Sequence, residues 1–277
     1  MKILVLSGGG SRGAFQVGVL QALTLKRQSW DMIVGVSVGA LNGSFLAQYS
    51  KKEQIVGARD LLGFWLDVKS NKSIYKRWFP FGRLHGLWKG GIYDSSPINK
   101  LVRDSIDLNK IQGSGVKLRV GSVNLENGQY FYAVGSDPKL HDWILASSAF
   151  PIAFSPIKIS NNHWVDGGVR DIIPIADVIS EPNIEQIDVI LSGPQGDYAD
   201  QIDSKDTKNV VKVALRTMEI LANETFSSDL DKVPEELRSK IKIYEPDINF
   251  KLPFALDFDP NEIRKMIYHG IDIGYKT

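Results

Sequence analysis

Over the first two thirds of this chain, short apolar runs bounded by glycines alternate with apolar residues at helical spacing. Ile3-Leu4-Val5-Leu6 and Ile33-Val34-Gly35-Val36 have the length and β-branched content of buried strands, and between them Phe15, Val19, Leu20 and Leu23 recur on one helical face. The first run passes directly into Gly8-Gly9-Gly10-Ser11-Arg12-Gly13. The second passes into Gly35-Val36-Ser37-Val38-Gly39, after which Ala40, Leu41, Phe45, Leu46 and Ala47 predict a helix. Together these form one βαβ unit, whose strands are expected to be parallel and whose crossover is expected to be right-handed. Parallel strands put both loops at the same edge of the sheet, so the backbone N–H groups of the glycine loop should lie beside the Ser37 hydroxyl.

Further along, Ile55, Val56, Leu61, Leu62, Trp65 and Leu66 predict an amphipathic helix over Glu53 to Val68. Ser96-Pro97-Ile98 predicts another, reaching to about Ile106, with Ser96 as N-cap and Pro97 at the first helical position. Leu118 to Leu125 and Tyr130 to Val134 read as a hairpin across Asn127-Gly128. A helix over Leu140 to Ser148 follows, ended by Pro151. Ile157 to Ile159 and His163 to Val165 then read as a second hairpin around Asn161-Asn162, which delivers Asp166-Gly167-Gly168 at a strand end. The last third is plainer: a strand over Ile187 to Leu191, a helix over Val210 to Ala222, a strand over Ile241 to Tyr244, and a helix over Pro260 to Ile273 capped by Asp259. There is no internal repeat and no convincing linker apart from the polar stretch 193–209, so a single domain over residues 1–277 is expected.

The candidate chemistry starts at Ser37. Between a strand and a helix, Gly-x-Ser-x-Gly has the form of a nucleophile elbow, in which the hydroxyl projects from a strained turn and the flanking glycines remove Cβ atoms that would clash. Chance occurrence in a glycine-rich chain is the alternative. Gly8, Gly10 and Gly13 also satisfy G-x-G-x-x-G, which brings in a nucleotide-binding, Rossmann-like module as a competing reading. That fold wants an acid at the far end of the second strand, whereas here Asp31 precedes the strand and Ser37 stands at its end. A Ser-His-Asp triad of the α/β-hydrolase type is a further alternative, and it needs one of 4 histidines. His163 lies three residues before Asp166, which puts the two on opposite faces of a shared strand. His141 and His269 fall in predicted helices, and His85 lies in an aromatic loop. Asp166 alone reads more readily as an ordinary turn aspartate before Gly-Gly.

Composition narrows these options. A net charge of +1 argues against a general polyanion binder, so no nucleic-acid partner is expected, and the absence of cysteine excludes disulfides and thiolate metal sites. Asp257-x-Asp259-x-Asn261 has the spacing of a calcium loop, but Glu262 occupies its glycine position and Tyr268 its bidentate-acid position. Neither a metal nor a cofactor is expected. Ile3 to Leu6 is too short for a signal sequence core, and no run approaches membrane-spanning length, so the expectation is a soluble cytoplasmic protein. Basic and aromatic residues interleave from Lys76 to Lys89, a mixture that suits peripheral contact with a membrane interface; packing of those aromatics on the domain is the alternative.

Taken in order, the motifs Gly8 to Gly13, Gly35 to Gly39 and Asp166-Gly167-Gly168 resemble the patatin-like phospholipase family of lipid acyl hydrolases. All three match without substitution, and Ala40-Leu41-Asn42-Gly43 and Ala146-Ser147-Ser148-Ala149-Phe150-Pro151 are weaker echoes. The resemblance implies an α/β fold, a three-layer sandwich whose mainly parallel central sheet is flanked by helices. It also implies phospholipase A-type cleavage of fatty acyl esters, with a phospholipid or other acyl lipid as substrate. Carried onto this chain, the family's dyad is Ser37 and Asp166. Its oxyanion hole is the backbone of Gly8, Gly9, Gly10, Ser11, Arg12 and Gly13, while Gly35, Gly39, Gly167 and Gly168 support the elbow and the dyad. The chemistry points the same way: a carboxylate at its ordinary pKa is a weak base for serine, so Asp166 must meet Ser37 in a partly dry pocket. Phe150, Ile152 and Phe154 are expected as acyl-pocket walls, although core packing explains them equally well.

Overall fold

The structure, a computed structural model, describes residues 1–78, 88–194, 233–248, 250 and 256–277, together with positions 208, 213, 214, 216, 217 and 220. Strands β1 (Lys2–Leu6), β2 (Met32–Val36), β3 (Lys117–Asn124), β4 (Tyr130–Val134), β5 (Ile157–Ile159), β6 (Asn162–Asp166), β7 (Gln186–Ile190) and β8 (Ile241–Tyr244) form one sheet. Their order is β5-β6-β3-β2-β1-β7-β8, with β4 paired to β3 off that path. β1, β2, β3, β7 and β8 run parallel, while β4, β5 and β6 are antiparallel additions. The architecture is therefore mixed α/β around a mostly parallel sheet, and the expected pairing of β1 with β2 is observed.

Alternation along the central strands explains the layers. Leu4, Leu6 and Ile33 join one core cluster, and Ile3, Val5, Met32, Val34, Ile187 and Val189 join the other, so these strands are buried on both faces. On the first face lie α1 (Gly13–Leu25), α2 (Val38–Leu46) and α3 (Gln54–Leu66). Helices α4 (Ser96–Ser105), α5 (Leu108–Gly113), α6 (Leu140–Ser147) and α7 (Pro260–Lys276) extend that layer. Helix α1 packs against α2, α3 and α7 and is buried on nearly every side, which is why its apolar residues are not confined to one stripe. Each large aliphatic side chain buried in this way contributes about 1.5–3 kcal/mol. The second face is covered, among the described residues, by the turn-rich segment that carries Ile173, Ile175, Val178 and Ile184, together with Val233 and Leu237.

One local expectation needs correction. Ser96 is not the N-cap of α4; Ser95 holds that position, and Asp94 Oδ1 accepts the Ser96 N–H at 2.8 Å. An aspartate two residues upstream reaches the orphan N–H as an Asx turn does, which leaves the serine hydroxyls no capping role. The chain after α4 also makes an additional helix, α5, because Asp107 accepts the N–H groups of Asn109 and Lys110 at 2.9 and 3.4 Å. The helix expected over Val210 to Ala222 lies largely outside the described residues, as does most of the Lys76 to Lys89 stretch.

The sheet order sets up the site in two ways. From β1, the chain continues to β2 and β3 on one side and later to β7 and β8 on the other, so the strand order reverses beside β1. Ligands in open α/β sheets bind beyond the carboxyl ends of the strands at such a reversal. Second, β3 is longer than β2, and β6 uses the surplus: Val36 pairs with Gly121, and Asp166 pairs with Ser122, the next residue of β3. β2 and β6 approach along one edge of β3 from opposite directions, and their carboxyl ends meet.

Candidate active site

Ser37 follows β2 immediately and starts α2. Its backbone has φ 55° and ψ −125°, a region that costs a non-glycine residue of order 1–3 kcal/mol and persists only where surrounding structure imposes it. The imposing structure is backbone packed on backbone. A Cβ on Gly35 would stand 2.3 Å from the Gly39 carbonyl oxygen, and one on Gly39 would stand 2.3 Å from the Leu6 oxygen. Only glycine fits at both positions, and the turn between them lifts Ser37 over the ends of β1 and β2.

The glycine loop lies against this elbow. A Cβ on Gly8 would be 3.2 Å from the Ser37 Cβ, and Gly9 has φ 149°. Backbone accounting divides the loop's donors. Gly8 N–H is committed to the Ile172 carbonyl at 2.9 Å and Arg12 N–H to the Gly9 carbonyl at 3.2 Å, and the Gly13 N–H reaches the Gly10 and Ser11 carbonyls. Among the described residues, the N–H groups of Gly9, Gly10 and Ser11 have no backbone acceptor. They open the short helical turn that leads into α1, where the helix's positive end lies.

A buried polar chain holds the loop in place. Gln16 Nε2 donates to the Ser7 carbonyl at 2.8 Å, Asn42 Nδ2 donates to Gln16 Oε1 at 3.0 Å, and Trp65 Nε1 donates to Asn42 Oδ1 at 2.8 Å. On the other side, Ser192 N–H donates to Ser7 Oγ at 2.9 Å, and the Ser192 hydroxyl donates to the Gly8 carbonyl. The sequence reading assigned Ser7, Gln16 and Ser192 no role. The available signal was a polar residue inside an apolar helical stretch, as Gln16 is in Ala14-Phe15-Gln16-Val17.

Asp166 closes the arrangement. It is 1% exposed, and its Oδ1 accepts the Gly168 N–H at 2.8 Å. Burial pushes its pKa up to about 7, opposed by hydrogen bonding from the Ser37 hydroxyl and from the Gly168 N–H. Its Oδ2 has no partner with standard hydrogen-bond geometry among the described residues. A strained hydroxyl, a buried carboxyl and a glycine loop with three N–H groups lacking a backbone acceptor among the described residues thus lie beyond the carboxyl ends of the strands, a set suited to acyl transfer.

A family model described as "Patatin-like phospholipase" matches residues 4–179. The chain belongs to the patatin-like phospholipase family. It is 26% identical over 195 residues to the cGAMP-activated phospholipase of Vibrio cholerae serotype O1, a match covering 61% of this chain and 54% of that protein. It is 28% identical over 191 residues to the probable lipid hydrolase 463L of Invertebrate iridescent virus 6, covering 63% of this chain and 62% of the relative. The chain therefore spans little more than half of the length of these curated relatives. Among solved structures, VipD from Legionella pneumophila aligns with 99% of this chain and 66% of its own, at 13% identity and a TM-score of 0.51, which shows a shared fold.

The family assignment fits where the other motifs fall. The position at which a dinucleotide fold would hold the ribose, the end of β2, carries the strained Ser37. The described histidines have their neighbours elsewhere: His141 Nε2 meets the Ile106 carbonyl at 2.7 Å, His163 Nδ1 meets Glu126 at 2.8 Å, and His269 Nε2 lies 2.9 Å from Asp247. His85 lies outside the described residues. Asp259, from the apparent calcium loop, caps α7 through the N–H groups of Asn261 and Glu262 at 2.9 and 3.0 Å. Phe154 packs edge-on to Tyr75, in a cluster that includes Tyr93, Phe150 and Ile152. Among the described residues, no helix is long and apolar enough to cross a membrane.

Proposed function

We propose that this chain is a serine hydrolase of the phospholipase A type, cleaving fatty acyl esters of phospholipids through an acyl-enzyme on Ser37 with Asp166 as general base. The observation that carries the reading is the meeting of a strained serine with a buried carboxyl whose pKa is about 7, so that near neutrality the carboxylate is populated and basic enough to accept a hydroxyl proton. The names of the relatives support lipid as the substrate class.

In this mechanism Asp166 takes the Ser37 proton as Oγ bonds to the ester carbonyl carbon and the carbonyl electron pair moves onto oxygen. The N–H groups of Gly9, Gly10 and Ser11 receive that oxyanion, and losing one such donor costs about 10²–10³ in rate. The intermediate collapses, the acyl C–O bond breaks, and Asp166 returns the proton to the departing alkoxide of the lysolipid. Water then repeats the sequence on the acyl-enzyme and releases the fatty acid. A shallow cleft near the end of α6 is lined by Ile98, Leu145, Ala149, Phe154 and Ile157 together with Ser95, Asn99, Ser148 and Ser155. Trp88 is 83% exposed next to Lys89, in keeping with interfacial contact through the basic and aromatic stretch.

The test is release of fatty acid from mixed phosphatidylcholine and phosphatidylglycerol vesicles in the presence of chelator. Release by wild type and none by Ser37→Ala is the expected result. Equal release by both, or none by a wild type that also fails to cleave short-chain esters, would contradict the reading. Charge reversal at Arg77, Arg83 and Lys89 is expected to weaken sedimentation with anionic vesicles; unchanged sedimentation would remove the interfacial role.

A further inference from the structure

Ser37 leaves the sheet ladder where it becomes the elbow: β2 pairs with β3 only as far as Val36, so the Ser37 N–H needs an acceptor from elsewhere. Ser147, at the end of α6, supplies it. The Ser37 N–H donates to Ser147 Oγ at 2.9 Å, and Ser147 is fully buried. The next residue adds a weaker contact, its Ser148 Oγ donating to the Ser37 carbonyl at 3.4 Å while also reaching the Ile144 carbonyl at 3.0 Å. The residue after that, Ala149, accepts the Asp166 N–H at 3.1 Å. Three consecutive residues therefore hold the backbone of both members of the dyad. A buried position at the end of a helix whose neighbours Leu145 and Ala146 are also buried would ordinarily be apolar, and no demand of helix packing calls for a hydroxyl there.

We infer that Ser147 is a positioning residue for the nucleophile. Its hydroxyl fixes the strained Ser37 backbone, and the 147–149 segment sets the separation of Ser37 from Asp166 by gripping both. This rests on the hydrolase reading above. The Ser37 N–H and the Asp166 N–H are both anchored on this one segment, so it sets how the two side chains approach each other. Misplacing a reacting group by about 1 Å costs up to ~10²-fold in rate.

The experiment compares wild type, Ser147→Ala, Ser147→Thr and Ser37→Ala with a p-nitrophenyl short-chain ester, together with hydrogen–deuterium exchange of peptides across residues 33–41. Ser147→Ala is expected to lower kcat by about 10- to 100-fold, with KM within twofold of wild type and the pH inflection near 7 unmoved, because Asp166 stays buried. The Ser37 amide should exchange faster while flanking β2 amides stay protected, and Ser147→Thr, which retains the hydroxyl, should recover much of the lost kcat. A Ser147→Ala enzyme with wild-type kcat and an equally protected Ser37 amide would overturn the proposal. So would a loss that tracks the unfolded fraction or shifts the pH inflection, since either marks a general structural role. A wild type that behaves like Ser37→Ala would instead overturn the hydrolase reading, and the positioning role with it.

Discussion

Asp166 and Asp188 are carboxyls buried in the same sheet, and the donors around them differ. Asp188 sits within β7, fully buried, where its Oδ2 accepts Trp30 Nε1 at 2.7 Å and its Oδ1 accepts Gln186 Nε2 at 2.6 Å and the Tyr244 hydroxyl at 3.4 Å. Asp166 ends β6 with one backbone donor on Oδ1 and an Oδ2 that lacks a well-formed partner. Buried polar groups are normally satisfied, and Asp188 follows that rule. Asp166 departs from it beside a strained serine. Burial is common to both carboxyls; what sets Asp166 apart, and what the proposed role as base rests on, is acceptor capacity left open next to a strained serine.

The comparison breaks most decisively through activity. Asp166→Asn is expected to lower kcat/KM by about 10³-fold, within the range for a lost general base, whereas Asp188→Asn should stay within a few-fold of wild type per folded molecule. Equal losses measured on folded protein would mean that the two carboxyls are not functionally distinct. The next effect is on stability against pH. Because the folded pKa of Asp166 is raised from 3.8 to about 7, its contribution favours folding fully below pH 4 and is lost as pH rises through 7. The shift corresponds to on the order of 1.4 kcal/mol per pKa unit. Urea melts from pH 4 to pH 8 should therefore show a smaller decline with pH in Asp166→Asn than in wild type.

Asp188→Asn should act on stability alone, placing an amide N–H₂ among donors at a cost of about 1–3 kcal/mol. At roughly 2–4 °C per kcal/mol for a chain of this size, a thermal melt resolves that loss. The smallest effect is expected at His163, whose partner Glu126 is exposed at the far end of β6. His163→Ala should leave ester hydrolysis within about twofold, as surface changes usually do. A folded but inactive His163→Ala enzyme would restore the triad in place of the dyad.

Much of this fold was legible because its signals are local. The glycine-bounded runs mark β1 and β2, the Asn127-Gly128 turn marks the β3–β4 hairpin, and Asp259-Pro260 marks the start of α7. The elbow was legible as well, since Gly35 and Gly39 answer to backbone contacts that no other residue permits. The meeting of β2 and β6 on one edge of β3 was not, because it depends on two separate long-range registers, Val36 with Gly121 and Ser122 with Asp166. Nor was the role of Ser147, whose partner is a backbone N–H rather than a side chain with its own pattern. The Ser96 cap misled because serine and the aspartate two residues before it compete for the same orphan N–H, and sequence alone does not rank them.

The measurement that tests the central claim most directly is the rate of fluorophosphonate labelling from pH 5 to pH 9, under chelator, for wild type, Ser37→Ala and Asp166→Asn. Wild-type labelling is expected to rise with pH and level off above an inflection near 7, Ser37→Ala not to label, and folded Asp166→Asn to label slowly and without that inflection. Wild-type labelling that is flat across this range, or Asp166→Asn labelling as fast as wild type, would contradict the claim that a buried Asp166 activates Ser37.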